Sequence, residues 1–157
     1  MVKVLFVCLG NICRSPMAEF VFKDMVKKAG FEKQFYIASA ATSSEAAGCD
    51  IHSGTKRKLA REGIPYASRK AVKITLADYA KYDYIIVMEQ KNLRDIKKTI
   101  PVDTKNKIHC LLDFCGGGDI ADPWYTGNFD LTYNDIVHGC KAFLQELERK
   151  NEIISAL

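Results

Sequence analysis

Two rhythms of apolar and polar positions alternate along the chain. VKVLFV (Val2–Val7) is a short, nearly continuous apolar run rich in β-branched residues, the pattern of a strand buried on both faces. From Pro16 the rhythm changes: Ala18, Val21, Phe22, Met25 and Val26 fall on one face of a helix that stops near Gly30. The alternation then recurs. FYIAS (Phe35–Ser39) predicts a second strand, and GTKRKLAREG (Gly54–Gly63) a helix with a basic outer face, closed by Gly63 and Pro65. YDYIIVM (Tyr82–Met88) predicts a third strand, NLRDIKK (Asn92–Lys98) a short helix and KIHCLLD (Lys107–Asp113) a fourth strand. A last helix starts near Asp130 and turns Ile136, Cys140, Phe143, Leu144 and Leu147 inward.

Strand and helix in alternation at this spacing predict an α/β fold. The expectation is a single domain over residues 1–157, a four-stranded parallel sheet with helices on both faces. Such sheets bind ligands beyond the carboxyl ends of their strands. Two loops that leave strand ends differ in composition from the rest: Cys8–Ser15, and the Gly-, Asp- and Pro-rich stretch Gly116–Gly127.

Composition narrows the function classes without naming one. The 157 residues are 48% hydrophobic and 27% charged, as in ordinary globular proteins. A net charge of +4 suits an anionic ligand but carries no nucleic-acid signature, so no nucleic-acid partner is expected. No apolar stretch approaches a membrane span, and the run Val4–Val7 is too short for a signal peptide. Six cysteines in a chain large enough to fold without staples point to a reducing cytoplasm. HCLLDFC (His109–Cys115) has no strong zinc spacing, and Cys110 and Cys140 fall on buried faces; no metal or cofactor is expected.

The first unusual loop carries the chemistry. Serine is a favoured helix N-cap and proline a favoured first helical residue, so Ser15-Pro16 predicts a helix start right behind the loop. Unpaired N–H groups and the helix dipole make that point an anion site. Gly10 and Asn11 tolerate left-handed conformations and let Leu9–Cys13 curl into a ring of donors. Arg14 adds a planar fork for a phosphate. Cys8 opens the ring, where a helix N-terminus and a guanidinium favour the thiolate, a nucleophile aimed at phosphorus. A tight βα turn with two buried cysteines is the plainer alternative; Cys-x5-Arg alone is weak, but between a strand and Ser-Pro it is strong.

VCLGNICRSPMAE resembles the signature of the low-molecular-weight protein tyrosine phosphatases. SAATS (Ser39–Ser43), YDYIIVME (Tyr82–Glu89), NLRD (Asn92–Asp95) and ADPWYTGN (Ala121–Asn128) follow in the order of that family. A thiolate displacing an aryl oxide needs an acid, and Asp122, stiffened by Pro123 on the second loop, is the candidate, with Asp119 its nearest rival. The resemblance gives Asp122 the role of general acid and then base, and makes Trp124 and Tyr125 one wall of the cleft. The opposite wall carries an aromatic residue in many members; here Glu45, followed by Ala46, occupies it and disfavours very acidic phosphopeptides. Asn11, Ser15 and Ser39 match positions that shape the loop. A histidine often found in that network is absent, and YASRKAVK (Tyr66–Lys73) stands in its region. Glu89 matches an acidic residue that holds the guanidinium, or else is a helix N-terminal charge. The resemblance also implies a protective Cys8–Cys13 disulfide on oxidation.

The expected function is hydrolysis of phosphotyrosine in proteins, or of small aryl phosphates, through a phosphocysteine, by a monomer or weak homo-oligomer. The rivals are a thioredoxin-coupled arsenate reductase, for which Cys110 and Cys115 are a pair to consider, a protein-arginine phosphatase, and a non-enzymatic phosphate-binding module.

Overall fold

The computed structural model describes residues 1–155; the last two residues of the expected domain lie outside them. The sheet is built of β1 (Val2–Cys8), β2 (Phe35–Ala41), β3 (Tyr84–Val87) and β4 (Ile108–Cys110), in the order β2-β1-β3-β4, every adjacent pair parallel. The helices are α1 (Arg14–Lys28), α2 (Ser53–Arg61), α3 (Leu76–Lys81), α4 (Gln90–Ile96), the one-turn α5 (Pro123–Thr126) and α6 (Phe129–Arg149).

Period-two alternation along the buried strand β1 sorts the core into two layers. Val4, Phe6 and Cys8 join the side chains of α1 and α6, while Leu5 and Val7 join Ile74, Ile85, Val87, Ile96 and Ile100. On the first face Phe22 of α1 meets Phe6 and, from α6, Phe143, at ring-centroid distances of 5.7 and 5.3 Å. Each such side chain contributes about 1.5–3 kcal/mol on burial. The strand that ends in Cys8 is thus clamped from both sides, which fixes the height of its last residue above the sheet.

Several boundaries differ from the sequence reading. β1 and β2 stay in register from Val2↔Phe35 to Cys8↔Ala41, so both run past their expected ends. α1 begins at Arg14, so Ser15 lies inside the helix and is not its N-cap; Cys13 holds that position without a side-chain cap. α4 begins at Gln90 because Asn92 Oδ1 accepts from the N–H groups of Met88 and Glu89 (3.0 and 3.2 Å) and turns the chain there. α3 went unforeseen: none of its residues is buried, and a Thr75–Asp78 capping box holds it. The expected fourth strand stops at Cys110, and Leu111–Cys115 turn into a 3-10 segment. Leu111 is buried there against α6, so close that a Cβ at Gly139 would lie 2.5 Å from its Cγ. A second close approach joins α2 to α6: a Cβ at Gly54 would fall 2.3 Å from the Phe129 ring.

Candidate active site

β1 delivers Cys8 to the carboxyl edge of the sheet, and α1 starts six residues later. The intervening turn is tied down by its carbonyls. Those of Cys8 and Leu9 accept from the N–H groups of Thr42 and Ser43, that of Ile12 from His52, and that of Cys13 from the Thr55 hydroxyl (2.9, 3.1, 2.8 and 3.2 Å). The N–H groups of Gly10, Ile12 and Cys13 have no protein acceptor among the described residues. Carbonyls inward and N–H groups free is the polarity of an anion cradle. Asn11 makes the bend at φ +58°; Gly10, expected to share that role, has no positive φ.

Asn11 is fully buried and holds the turn through its side chain. Its Nδ2 donates to Ser15 Oγ (2.7 Å) and Ser39 Oγ (3.0 Å). Its backbone N–H points at Cys8 Sγ (3.3 Å), and Ser15 Oγ lies 3.1 Å from the same sulfur. The Asn11 N–H and the Ser15 hydroxyl thus both lie against the one sulfur. Cys13 is a different thiol: burial first, then the charges of Asp122 and Cys8, push it up to about 12. Cys8 and Cys13 are both unbridged. Cys110 and Cys140 are core residues, as expected, with burial pushing Cys110 up to about 11.

Arg14 is 2% exposed and reaches under the cleft. Its Nη1 forms an ion pair with Glu89 and donates to the Ile120 carbonyl (2.8 Å), while Nη2 lies 3.4 Å from Asp122 Oδ2. Glu89 meets both alternatives left open for it, since it also precedes the first turn of α4. The second loop is anchored at its base by the Ile120 N–H to the Met88 carbonyl (2.9 Å) and by the Thr132 hydroxyl to the Ala121 carbonyl (2.9 Å). Asp122 caps α5, its Oδ1 accepting from the Trp124 N–H at 3.1 Å, which leaves Oδ2 toward Arg14. Asp119, the rival acid, instead accepts from the Gln90 N–H at the start of α4.

A cleft of about 340 Å³ opens over Cys8. Leu9, Gly10, Ile12 and Cys13 form its floor, Asp122, Trp124 and Tyr125 one side, and Glu45, Ala46 and Cys49 the other. Trp124 and Tyr125 are 60% and 76% exposed. His52 steadies Trp124 edge-on (5.6 Å between centroids) and stacks on Phe129 (5.4 Å).

Two residues escaped the sequence reading. Arg69 donates from Nη1 to Asn11 Oδ1 (2.9 Å) and from Nη2 to Ser39 Oγ (2.7 Å), and Ser39 in turn donates to Glu19 Oε1 (2.6 Å). Arg69 stands in YASRKAVK, where the absent histidine left a gap; an arginine in an irregular polar segment gives no local signal. Glu19 is buried on α1 at a position where the helical pattern alone reads as surface.

An anion cradle closed over a cysteine, at the end of the first strand of a parallel sheet, is the architecture of the cysteine-dependent phosphatases. Within that class the chain belongs to one family, described as "Low molecular weight phosphotyrosine protein phosphatase", which it matches over residues 3–153. It is 37% identical over 156 residues to the low molecular weight protein-tyrosine-phosphatase YfkJ of Bacillus subtilis, covering 98% of this chain and 100% of that one. The human low molecular weight phosphotyrosine protein phosphatase is 40% identical over 149 residues, covering 91% and 94%. Among solved structures, YfkJ superposes with a TM-score of 0.90 (38% identity, 96% of each chain). A Drosophila arginine phosphatase does so at 0.85 (30% identity, 94% of this chain and 98% of that one).

Proposed function

We propose that the protein hydrolyses phosphotyrosine in proteins, or small aryl phosphates, through a phosphocysteine on Cys8. The observation that carries this reading is the convergence of Cys8, Arg14 and Asp122 on one cleft, with Arg14 Nη2 3.4 Å from the Asp122 carboxylate. The loop N–H groups and Arg14 bind the three outer oxygens of the phosphoryl group. The Cys8 thiolate attacks phosphorus as the P–O ester bond breaks, and the protonated Asp122 gives its proton to the departing phenoxide. Asp122, now a carboxylate, takes a proton from water. That water attacks phosphorus, the S–P bond breaks, and Ser15 Oγ, 3.1 Å from the sulfur, supports the thiolate as it leaves with the bonding pair. Trp124 and Tyr125 offer apolar faces to the aromatic ring.

Protein-arginine phosphatase is the second reading, favoured by the likeness to the Drosophila arginine phosphatase. Ile12 on the cleft floor weighs against it. It offers no hydroxyl and narrows the space around phosphorus, whereas the resemblance associates a threonine there with phosphoarginine. The arsenate-reductase reading loses its relay pair, because Cys110 is fully buried while Cys115 is exposed. The test is a panel of phosphotyrosine, phosphoserine and phosphoarginine peptides. Phosphotyrosine turning over fastest supports the proposal; phosphoarginine turning over faster overturns it. We further read the protein as a cytoplasmic monomer or weak homo-oligomer: its six cysteines are free, and no helix among the described residues is long and apolar enough to cross a membrane.

A further inference from the structure

Arg69 lies in the irregular segment between α2 and α3, far along the chain from the loop it touches. One nitrogen, Nη1, grips Asn11 twice, at Oδ1 (2.9 Å) and at the backbone carbonyl (3.3 Å). The other, Nη2, takes Ser39 Oγ at 2.7 Å. The Val72 N–H adds a second donor to Asn11 Oδ1 at 3.3 Å. With that oxygen filled, Asn11 Nδ2 faces Ser15, and the Asn11 N–H faces Cys8 Sγ. Three acidic groups surround the guanidinium from different elements. Glu19 on α1 lies 3.9 Å from Nε, Cys8 ends β1, and Asp50, in the segment between β2 and α2, accepts from the Arg69 N–H at 3.1 Å. Burial weakens the guanidinium's hold on its proton, and Glu19, Cys8 and Asp50 strengthen it. Arg69 Nε itself is buried without a hydrogen-bond partner, so Nη1 and Nη2 make all the hydrogen bonds of the side-chain head group.

We infer that Arg69 is a positioning residue for the nucleophile. Its guanidinium locks Asn11 in the left-handed turn, so that the Asn11 N–H and the Ser15 hydroxyl stay against the Cys8 sulfur. This rests on the reading of Cys8 as the nucleophile. The geometry requires a planar fork: a lysine ammonium is a point charge and cannot bridge Asn11 and Ser39 in this way. A guanidinium also keeps its charge across the working pH range, so loop support in this chain does not titrate.

Three variants test it: Arg69→Gln, Arg69→Ala and Arg69→His, each first checked for cooperative thermal unfolding. One readout is the rate of Cys8 alkylation by iodoacetamide, followed by mass spectrometry with inorganic phosphate as the protecting ligand. The other is kcat for p-nitrophenyl phosphate. Arg69→Gln is expected to slow alkylation at neutral pH by about tenfold. Its kcat is expected to fall by about ten- to a hundredfold, since a small misplacement of the nucleophile is enough. Millimolar guanidinium restores part of the activity of Arg69→Ala. Arg69→His acquires a pH dependence the wild type lacks: its activity relative to wild type falls between about pH 5.5 and 8, as the imidazole loses its charge. Near-normal alkylation and kcat in Arg69→Gln overturn the inference. So does a loss in all three folded variants that neither guanidinium nor low pH relieves. Failure of the wild type to turn over any phosphate ester defeats the proposed function instead, and the alkylation series still decides the role of Arg69.

Discussion

The two loops that meet over Cys8 are built in opposite ways. The first is sunk into the fold: Asn11 and Ser15 are fully buried, and its carbonyls are bonded to Thr42 and Ser43 just after β2, to His52 just before α2 and to Thr55 in α2. The second is pinned at its base by Ile120 and Ala121 and carries its aromatic pair in the open, Tyr125 at 76% exposure. A group that stabilises charge on phosphorus must not reorganise during the reaction, so its donors are rigid before substrate arrives. A wall that grips varied side chains gains from freedom. Asp122, the proposed acid, is the exception on the exposed loop, and its N-cap bond to Trp124 and its approach to Arg14 are what borrow rigidity for it.

The comparison is broken most severely by Cys8→Ser. Turnover of p-nitrophenyl phosphate should vanish, while inorganic phosphate still raises the melting temperature, because the cradle and Arg14 survive. Retained turnover would sink the mechanism. Next comes Asp122→Ala, expected to slow phosphotyrosine hydrolysis by about 10²–10⁴. The loss should shrink for esters whose leaving groups need no proton. An equal loss across leaving groups means that Asp122 is not the acid, and Asp119, held to the α4 start by the Gln90 N–H, is then the next to test.

A smaller effect separates the two sulfurs of the rigid loop. Peroxide is expected to convert the Cys8 thiolate to a sulfenic acid, and the Cys13 thiol then to displace hydroxide from that sulfur, forming a disulfide and water. Dithiothreitol should restore wild type but not Cys13→Ser after the same exposure, and equal recovery removes Cys13 from any protective part. The smallest effect belongs to the open side. Glu45 is exposed and has no cationic partner within ion-pair distance among the described residues. Glu45→Lys should shift kcat/KM toward acidic phosphotyrosine peptides by only about two- to fivefold, an effect that fades in high salt. Unchanged preference at low salt means that substrates do not pass this wall.

Rigid and open regions were also unequally legible in the sequence. The strands rested on short apolar runs whose meaning is local, and Cys8, Arg14 and Asp122 stood in compact motifs with few competing readings. What failed was whatever depends on partners distant in sequence. Ser15 reads as a cap because its neighbour is proline; the network with Asn11 and Cys8 draws it into the first turn instead. LLD reads as strand by composition, but packing against Gly139 bends it away from β3. Arg69 acts across 58 residues of sequence on Asn11, and no periodicity in YASRKAVK encodes that.

Gly54 sets a relation between the two loops that neither contains. His52, two residues before it, gives its N–H to the Ile12 carbonyl on one side and its ring to Trp124 on the other. The Phe129 ring fills the space where a Cβ at position 54 would stand. The two positions therefore share one allotment of volume. Over generations neither can enlarge unless the other shrinks, and drift in this family is expected to move them as a linked pair. A bulkier residue at 54 would survive only beside a truncated 129, and that exchange would widen or narrow the mouth of the enzyme without altering a single group that touches phosphorus.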